Sequence, residues 1–136
     1  MKKGLLTATL VAISGFVAVP ALAADLQVLP PKNLACSLSL DKMRLVVMDS
    51  AMRFNWQVMD DKKGKMKLRY SKGYKFSADI EVAYTEKNFR INYLESYGLG
   101  YEKRGDKAVI HRNYNRWIRN LDKEITLRSN AACMQK

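Results

Sequence analysis

One histidine, His111, is the only side chain of its kind in the chain. A lone imidazole works as a general base when a carboxylate orients it and a hydroxyl or water stands against it, and Asp106 and Ser96 could supply those parts if the fold gathers them. His111 also stands where the run Ala108-Val109-Ile110 gives way to an amphipathic stretch, a position that suits capping or packing. Asp79 and Glu81 lie two apart on one strand face, which would allow cation binding or paired acids. Cross-strand pairing is expected to set Lys65 and Asn92 beside them, and that explains them better. There is no Gly-x-Ser-x-Gly elbow, no phosphate-cradling glycine-rich loop and no His/Cys/carboxylate cluster at ligand spacing, so no metal and no cofactor is expected. What remains is electrostatic. Lys65, Lys67 and Arg69 alternate outward along one strand, Lys75 is expected opposite Arg69, and Arg90 lies farther along the same face. Like charges facing each other cost about a few tenths of a kcal/mol, and an anion bound across them would remove that cost. A solvated set of splayed side chains is the plainer alternative.

Strands must position these residues. Ala78 to Tyr84 and Phe89 to Tyr93 alternate apolar and polar residues on either side of Thr85-Glu86-Lys87-Asn88, which predicts an antiparallel hairpin whose dry face carries Ile80, Val82, Tyr84, Phe89, Ile91 and Tyr93. Trp56 and Val58 open an earlier strand, Asp60 to Gly64 is a turn, and Lys65 to Tyr70 is a second strand of strict alternation. One face stays apolar throughout if Trp56 pairs with Leu68, Val58 with Met66, Leu68 with Phe76, Tyr70 with Tyr74, Val82 with Ile91 and Ile80 with Tyr93. At least one more strand is expected between Leu99 and Ile110, turning at Gly105-Asp106.

Two helices are expected to cover the dry face. The first runs from Lys42 to Arg53 behind an N-cap at Asp41, with Leu45, Val46, Met48 and Met52 in the core. The second is capped by Asn113, repeats Tyr114, Ile118, Leu121 and Ile125 at helical spacing, and ends near Ser129. The predicted core contains Trp56, Ile80, Val82, Ile91, Tyr93, Trp117, Ile118 and Leu121. The fold class is therefore α+β: an antiparallel meander of four to six strands with an N-terminal and a C-terminal helix on one face.

The start of the chain reads as an export signal. Met1-Lys2-Lys3 is basic, Leu5 to Val19 is apolar, and Pro20-Ala21-Leu22-Ala23 ends in an Ala-x-Ala pattern, which predicts cleavage after Ala23. The apolar run falls short of the roughly 20 residues that cross a bilayer. Ala24 follows the cleavage point, so no lipid-bearing cysteine is expected, and the mature chain should have no transmembrane helix. The expected organisation is a signal peptide over 1–23, a Pro30-Pro31 linker over 24–35 and a single domain over 36–136, in the periplasm. That compartment permits a disulfide between Cys36 and Cys133, the chain's two cysteines. The formal charge is +11; without Lys2 and Lys3 it becomes 22 basic minus 13 acidic residues, or +9. Such a balance concerns partners and not the fold.

The spacing Ile91-x-Tyr93-x-x-Ser96-x-x-Leu99-x-Tyr101, followed by Ile110-His111-x-x-Tyr114-Asn115-x-Trp117-Ile118-x-x-Leu121, resembles that of small uncharacterised exported proteins and lipoproteins of Gram-negative bacteria. The resemblance covers about half the chain and implies a compartment, not a chemistry. The expected function is a non-catalytic envelope protein that binds an anionic ligand, a membrane surface or a protein partner through its basic sheet face; the alternative is a small hydrolase built on His111. Nucleic acid is not an expected partner, because the aromatic residues fall on the covered face and the chain is expected to leave the cytoplasm.

Overall fold

The computed structural model describes residues 22–135. The expected signal peptide lies outside them except for Leu22 and Ala23. Four strands, β3 (Gln57–Lys62), β4 (Lys65–Lys72), β5 (Phe76–Tyr84) and β6 (Asn88–Tyr97), form an antiparallel meander. A two-residue strand, β2 (Lys32–Asn33), adds to β6 and completes a five-stranded sheet in the order β2-β6-β5-β4-β3. The fold is α+β as expected, because helices α1 (Leu40–Arg53) and α2 (Arg112–Met134) are each amphipathic and bury their apolar stripes on the dry side of this sheet.

Between β5 and β6 the expected register holds: Val82 faces Ile91 and Ile80 faces Tyr93. Beyond Ile80 it shifts by one residue, leaving Leu94 as a bulge, and Asp79 then faces Glu95. The β4–β5 register differs from expectation by four residues. Leu68 pairs with Ile80 and not with Phe76, and Arg69 pairs with Asp79 and not with Lys75. Alternation is unchanged by a slip of an even number of residues, so it fixes which face is dry and leaves the partner open. The observed register moves the loop to Gly73-Tyr74-Lys75, extends the ladder to Lys72–Phe76 and opposes unlike charges in place of like ones. The β3–β4 register also differs: Val58 faces Leu68 and not Met66, Leu68 is not the partner of Trp56, and a bulge at Met59 sets Asp60 against Lys67.

Helix α1 is capped by Ser39, whose Oγ accepts the Lys42 N–H at 3.1 Å, and Asp41 lies in the first turn. Its buried stripe is Met43, Val46, Val47, Ser50 and Ala51. Leu45 and Met52, expected in the core, are exposed, and Met48 is only partly covered. The small Ser50 and Ala51 let α1 approach closely, which turns the stripe away from those longer side chains; Ser50 satisfies its hydroxyl on the Val46 carbonyl at 2.7 Å. The helix ends in a Schellman motif: Asn55 (φ 64°) donates to Met52 and Trp56 donates to Ala51. Helix α2 is capped by His111 and not Asn113, and it runs past Ser129 to Met134. Trp56, Ile80, Val82, Ile91, Ile118 and Leu121 are buried as expected, while Tyr93 and Trp117 are only partly covered at the rim of the core.

The strand expected after Gly98 belongs to a second, three-stranded sheet, β1-β8-β7, with β7 at Glu102–Arg104, β8 at Lys107–His111 and β1 at Ala23–Asp25. The stretch 24–35, expected as a linker, carries most of β1 and all of β2. Strands of two or three residues carry no periodicity, and this stretch is fixed instead by a distant amide. Asn115 on α2 donates to the Asp25 carbonyl at 2.8 Å and accepts the Gln27 N–H at 2.9 Å. Asn115 is buried, so truncating it strands both backbone groups. Asn115→Ala should lower stability by about 1–3 kcal/mol and speed hydrogen exchange at Gln27; unchanged exchange there would mean that the amide does not hold the segment.

Cys36, just ahead of α1, is bridged to Cys133 in the last turn of α2 across a sequence separation of 97.

Candidate functional site

The sheet face away from the helices carries the basic residues, and the register decides which of them are free. Arg69 grips Asp79 with two bonds, Nε to Oδ1 at 2.6 Å and a terminal nitrogen to Oδ2 at 2.9 Å, while the Lys67 Nζ lies 3.7 Å from Oδ2. Asp79 is 2% exposed, covered by the long side chains that neutralise it. The Arg69 hydrogen bonds hold its carboxyl below the usual carboxylate range, outweighing the burial that would raise it, with the Arg69 and Lys67 charges adding to the effect. A depressed pKa stabilises the fold above the ordinary carboxylate range, and that contribution is lost as pH falls through the folded value. Asp79→Asn should therefore weaken the protein at neutral pH and flatten its acid destabilisation below about pH 4, read from melting temperatures across the acid range. An equally steep acid limb in the variant would assign the effect to other carboxylates.

Lys67 and Arg69 are thus internal partners of Asp79. Glu81 faces Asn92 as expected and Lys67 on its other side, while Lys65, expected beside Asp79, faces Ala83. Lys75 lies in the β4–β5 loop at one end of the sheet. Lys65 and Arg90 lie toward the other end, on either side of the small Ala83, and neither makes an ion pair among the described residues. Two strand spacings separate their backbones by about 10 Å, and Ala83 leaves the space between their side chains open. Lys63 and Lys87, both exposed, lie in the β3–β4 and β5–β6 turns, which a meander brings to this same end. Sequence reasoning passed over these two lysines, although the alternation of turns in a meander was enough to bring them together. Lys62, nearby, is 3.7 Å from Asp60. The five expected binding residues therefore divide into an internal pair, an open pair and a distant loop residue.

His111 does not assemble with Ser96 and Asp106. Its Nδ1 accepts the Asn113 N–H at 3.1 Å and its backbone N–H donates to Leu99 at 2.8 Å. Ser96 Oγ shares a hydrogen bond with Tyr93 Oη at 2.7 Å, and Asp106 lies in the β7–β8 turn. His111 borders a recess of about 490 Å³ together with Leu99, Val109 and Glu102, and neither Ser96 nor Asp106 lines it. Several residues of the Ile91–Tyr101 and Ile110–Leu121 spacings serve instead as a joint between the two sheets and α2. Tyr93 stacks on Tyr101 at 4.5 Å and meets Tyr114 edge-on at 5.7 Å, His111 caps the helix, and Asn115 clamps β1. Burial pushes the Tyr93 and Tyr114 hydroxyls up, so both stay neutral around pH 7.

No helix among the described residues is long and apolar enough to cross a membrane. Comparison with known proteins finds no matching family model, no matching curated protein and no matching solved structure.

Proposed function

We propose that the protein is a non-catalytic component of the cell envelope that binds an anionic surface, of the kind presented by phosphorylated lipid headgroups, through the turn end of its open sheet face. The observation that carries this reading is the pair Lys65 and Arg90, which flank Ala83 without a counter-ion and have Lys63 and Lys87 in the turns beside them. Cations concentrated on one end of a rigid sheet produce a positive field that a planar anionic surface can meet without any change of shape. The export pattern of residues 1–23, the likeness to exported proteins and lipoproteins of Gram-negative bacteria and the Cys36–Cys133 bridge support the periplasm as its location.

Lys65 and Arg90 are also the right residues to test. Reversing Lys67 and Arg69 would surround the buried Asp79 with carboxylates and damage the fold, whereas Lys65 and Arg90 point outward and are exposed. Vesicles containing phosphatidylglycerol should bind the wild-type protein at low salt and release it as the Debye length falls from about 10 Å at 0.1 M to about 3 Å at 1 M. Vesicles of phosphatidylcholine alone should not bind. The double variant Lys65→Glu, Arg90→Glu should lose the binding while melting as the wild type does. Equal binding by both proteins, or none by either, rejects the proposal.

A further inference from the structure

At the end of the sheet where α1 stops, the two tryptophans of the chain come together. The Schellman motif delivers Trp56, α2 delivers Trp117, and β4 sets Tyr70 between them, with ring centroids 5.7 Å from Trp56 and 4.7 Å from Trp117. The rings border a recess of about 200 Å³ whose remaining wall includes Arg53, Asn55 and Asn120. A second recess of about 380 Å³ shares Asn55 and Trp56 with the first but opens beside Gln57 and Arg69, on the sheet face away from the helices.

The polar groups of this recess are unspent. Trp56 is 3% exposed, yet its indole N–H donates to no protein acceptor, whereas an indole that deeply covered ordinarily has one. The one polar side-chain atom sealed from water without a partner among the described residues is Tyr84 Oη, so the Trp56 N–H keeps access to water, and the two recesses are the openings that Trp56 lines. The Trp117 indole and the amides of Asn55 and Asn120 likewise have no protein partner. Of the nearby cations, Arg69 is held by Asp79, and Arg53, largely exposed, lies 4.0 Å from a Glu124 carboxylate that already accepts from Arg128 at 2.8 Å. The half-buried rings of Tyr70 and Trp117, the latter stacked on Phe76 at 5.4 Å, a covered lone donor and planar amides outnumber free charge here.

We propose that this recess binds a saccharide. A pyranose presents a face of C–H groups that buries against an aromatic ring and a rim of hydroxyls that both donate and accept. One hydroxyl oxygen can take the Trp56 N–H, and adjacent hydroxyls match the paired donor and acceptor of Asn55 and Asn120. A purely apolar ligand would leave these groups unpaired at a cost, and a simple anion would find few free cations. The site stands apart from the Lys65–Arg90 end, about 17 Å along β4 from Lys65 to Tyr70, and does not depend on that reading.

Because both tryptophans line the recess, intrinsic fluorescence reports on it directly. Titration with chitotriose and with maltotriose should give a saturable change for at least one of them, with a Kd of about 1 mM or tighter; the two probes separate an N-acetylated sugar from a plain glucan. Asn120→Ala removes an exposed amide with no intramolecular bond, leaves the fold intact by circular dichroism and should weaken binding about tenfold or more. Trp117→Phe keeps a ring and should retain part of the affinity. No fluorescence change with either sugar up to about 20 mM, or an Asn120→Ala protein that binds as tightly as the wild type, overturns the proposal.

Discussion

Replacing both Cys36 and Cys133 with alanine is expected to lower the stability of the folded chain by about 4–5 kcal/mol, the loop-closure entropy that a bridge across roughly 100 residues removes from the unfolded ensemble. The bridge spans 97 residues and encloses α1, most of the strands and nearly all of α2, so almost every tertiary contact forms within a loop it has already closed. At the size of this chain the loss corresponds to a melting temperature roughly 15 °C lower. The same drop should follow reduction of the wild-type protein, with the circular dichroism of the folded state unchanged in both cases. Equal melting of oxidised and reduced protein would show that the cross-link holds nothing that packing does not already hold.

Leu121→Ala should be nearly as costly. Leu121 is fully buried on the inner face of α2, between Ile118 and Ile125 in the stripe that covers the sheet. Removing its side chain loses the transfer free energy of the missing atoms and leaves a cavity that helix and sheet can only partly close, about 2–5 kcal/mol. Leu127→Ala provides the contrast, because Leu127 lies on the outer face of the same helix and is exposed; its loss should stay within about 0.5 kcal/mol. Chemical denaturation of the two variants measures the difference directly. Similar losses at both positions would contradict the packing of α2 on the sheet.

The dry side of the meander was legible because burial leaves its mark in residue type at every second position, as at Ile80, Val82 and Ile91. The β5–β6 register was legible too, since the short Thr85–Asn88 turn permits few alternatives. The β4–β5 register was not, because the apolar pattern is the same after a slip of four. The observed register pairs Arg69 with Asp79, and a charge pair of that kind is visible only once the strands have partners. The candidate site changed for the same reason: five cations of one sign look like one cluster until the register shows that Asp79 takes two of them and the loop takes a third. In α1, residue type marks more apolar side chains than one face can cover, and the small Ser50 and Ala51 decide which face turns inward. The Asn115 clamp on Asp25 and Gln27 joins segments about ninety residues apart and leaves no local trace.

Strand β3 closes one side of the large sheet, and β7 closes one side of the small one. Both have backbone groups left over for a neighbour, and such rows can template the addition of foreign strands and the growth of aggregates. Here β3 carries Asp60, Asp61 and Lys62 with a bulge at Met59, and β7 consists of Glu102, Lys103 and Arg104. An incoming strand would have to lie across a kink on one side and strip water from consecutive charges on the other. The residues that end each ladder thus act as gatekeepers against polymerisation, a safeguard of particular use to a chain that must fold without ATP-driven chaperones if it works outside the cytoplasm.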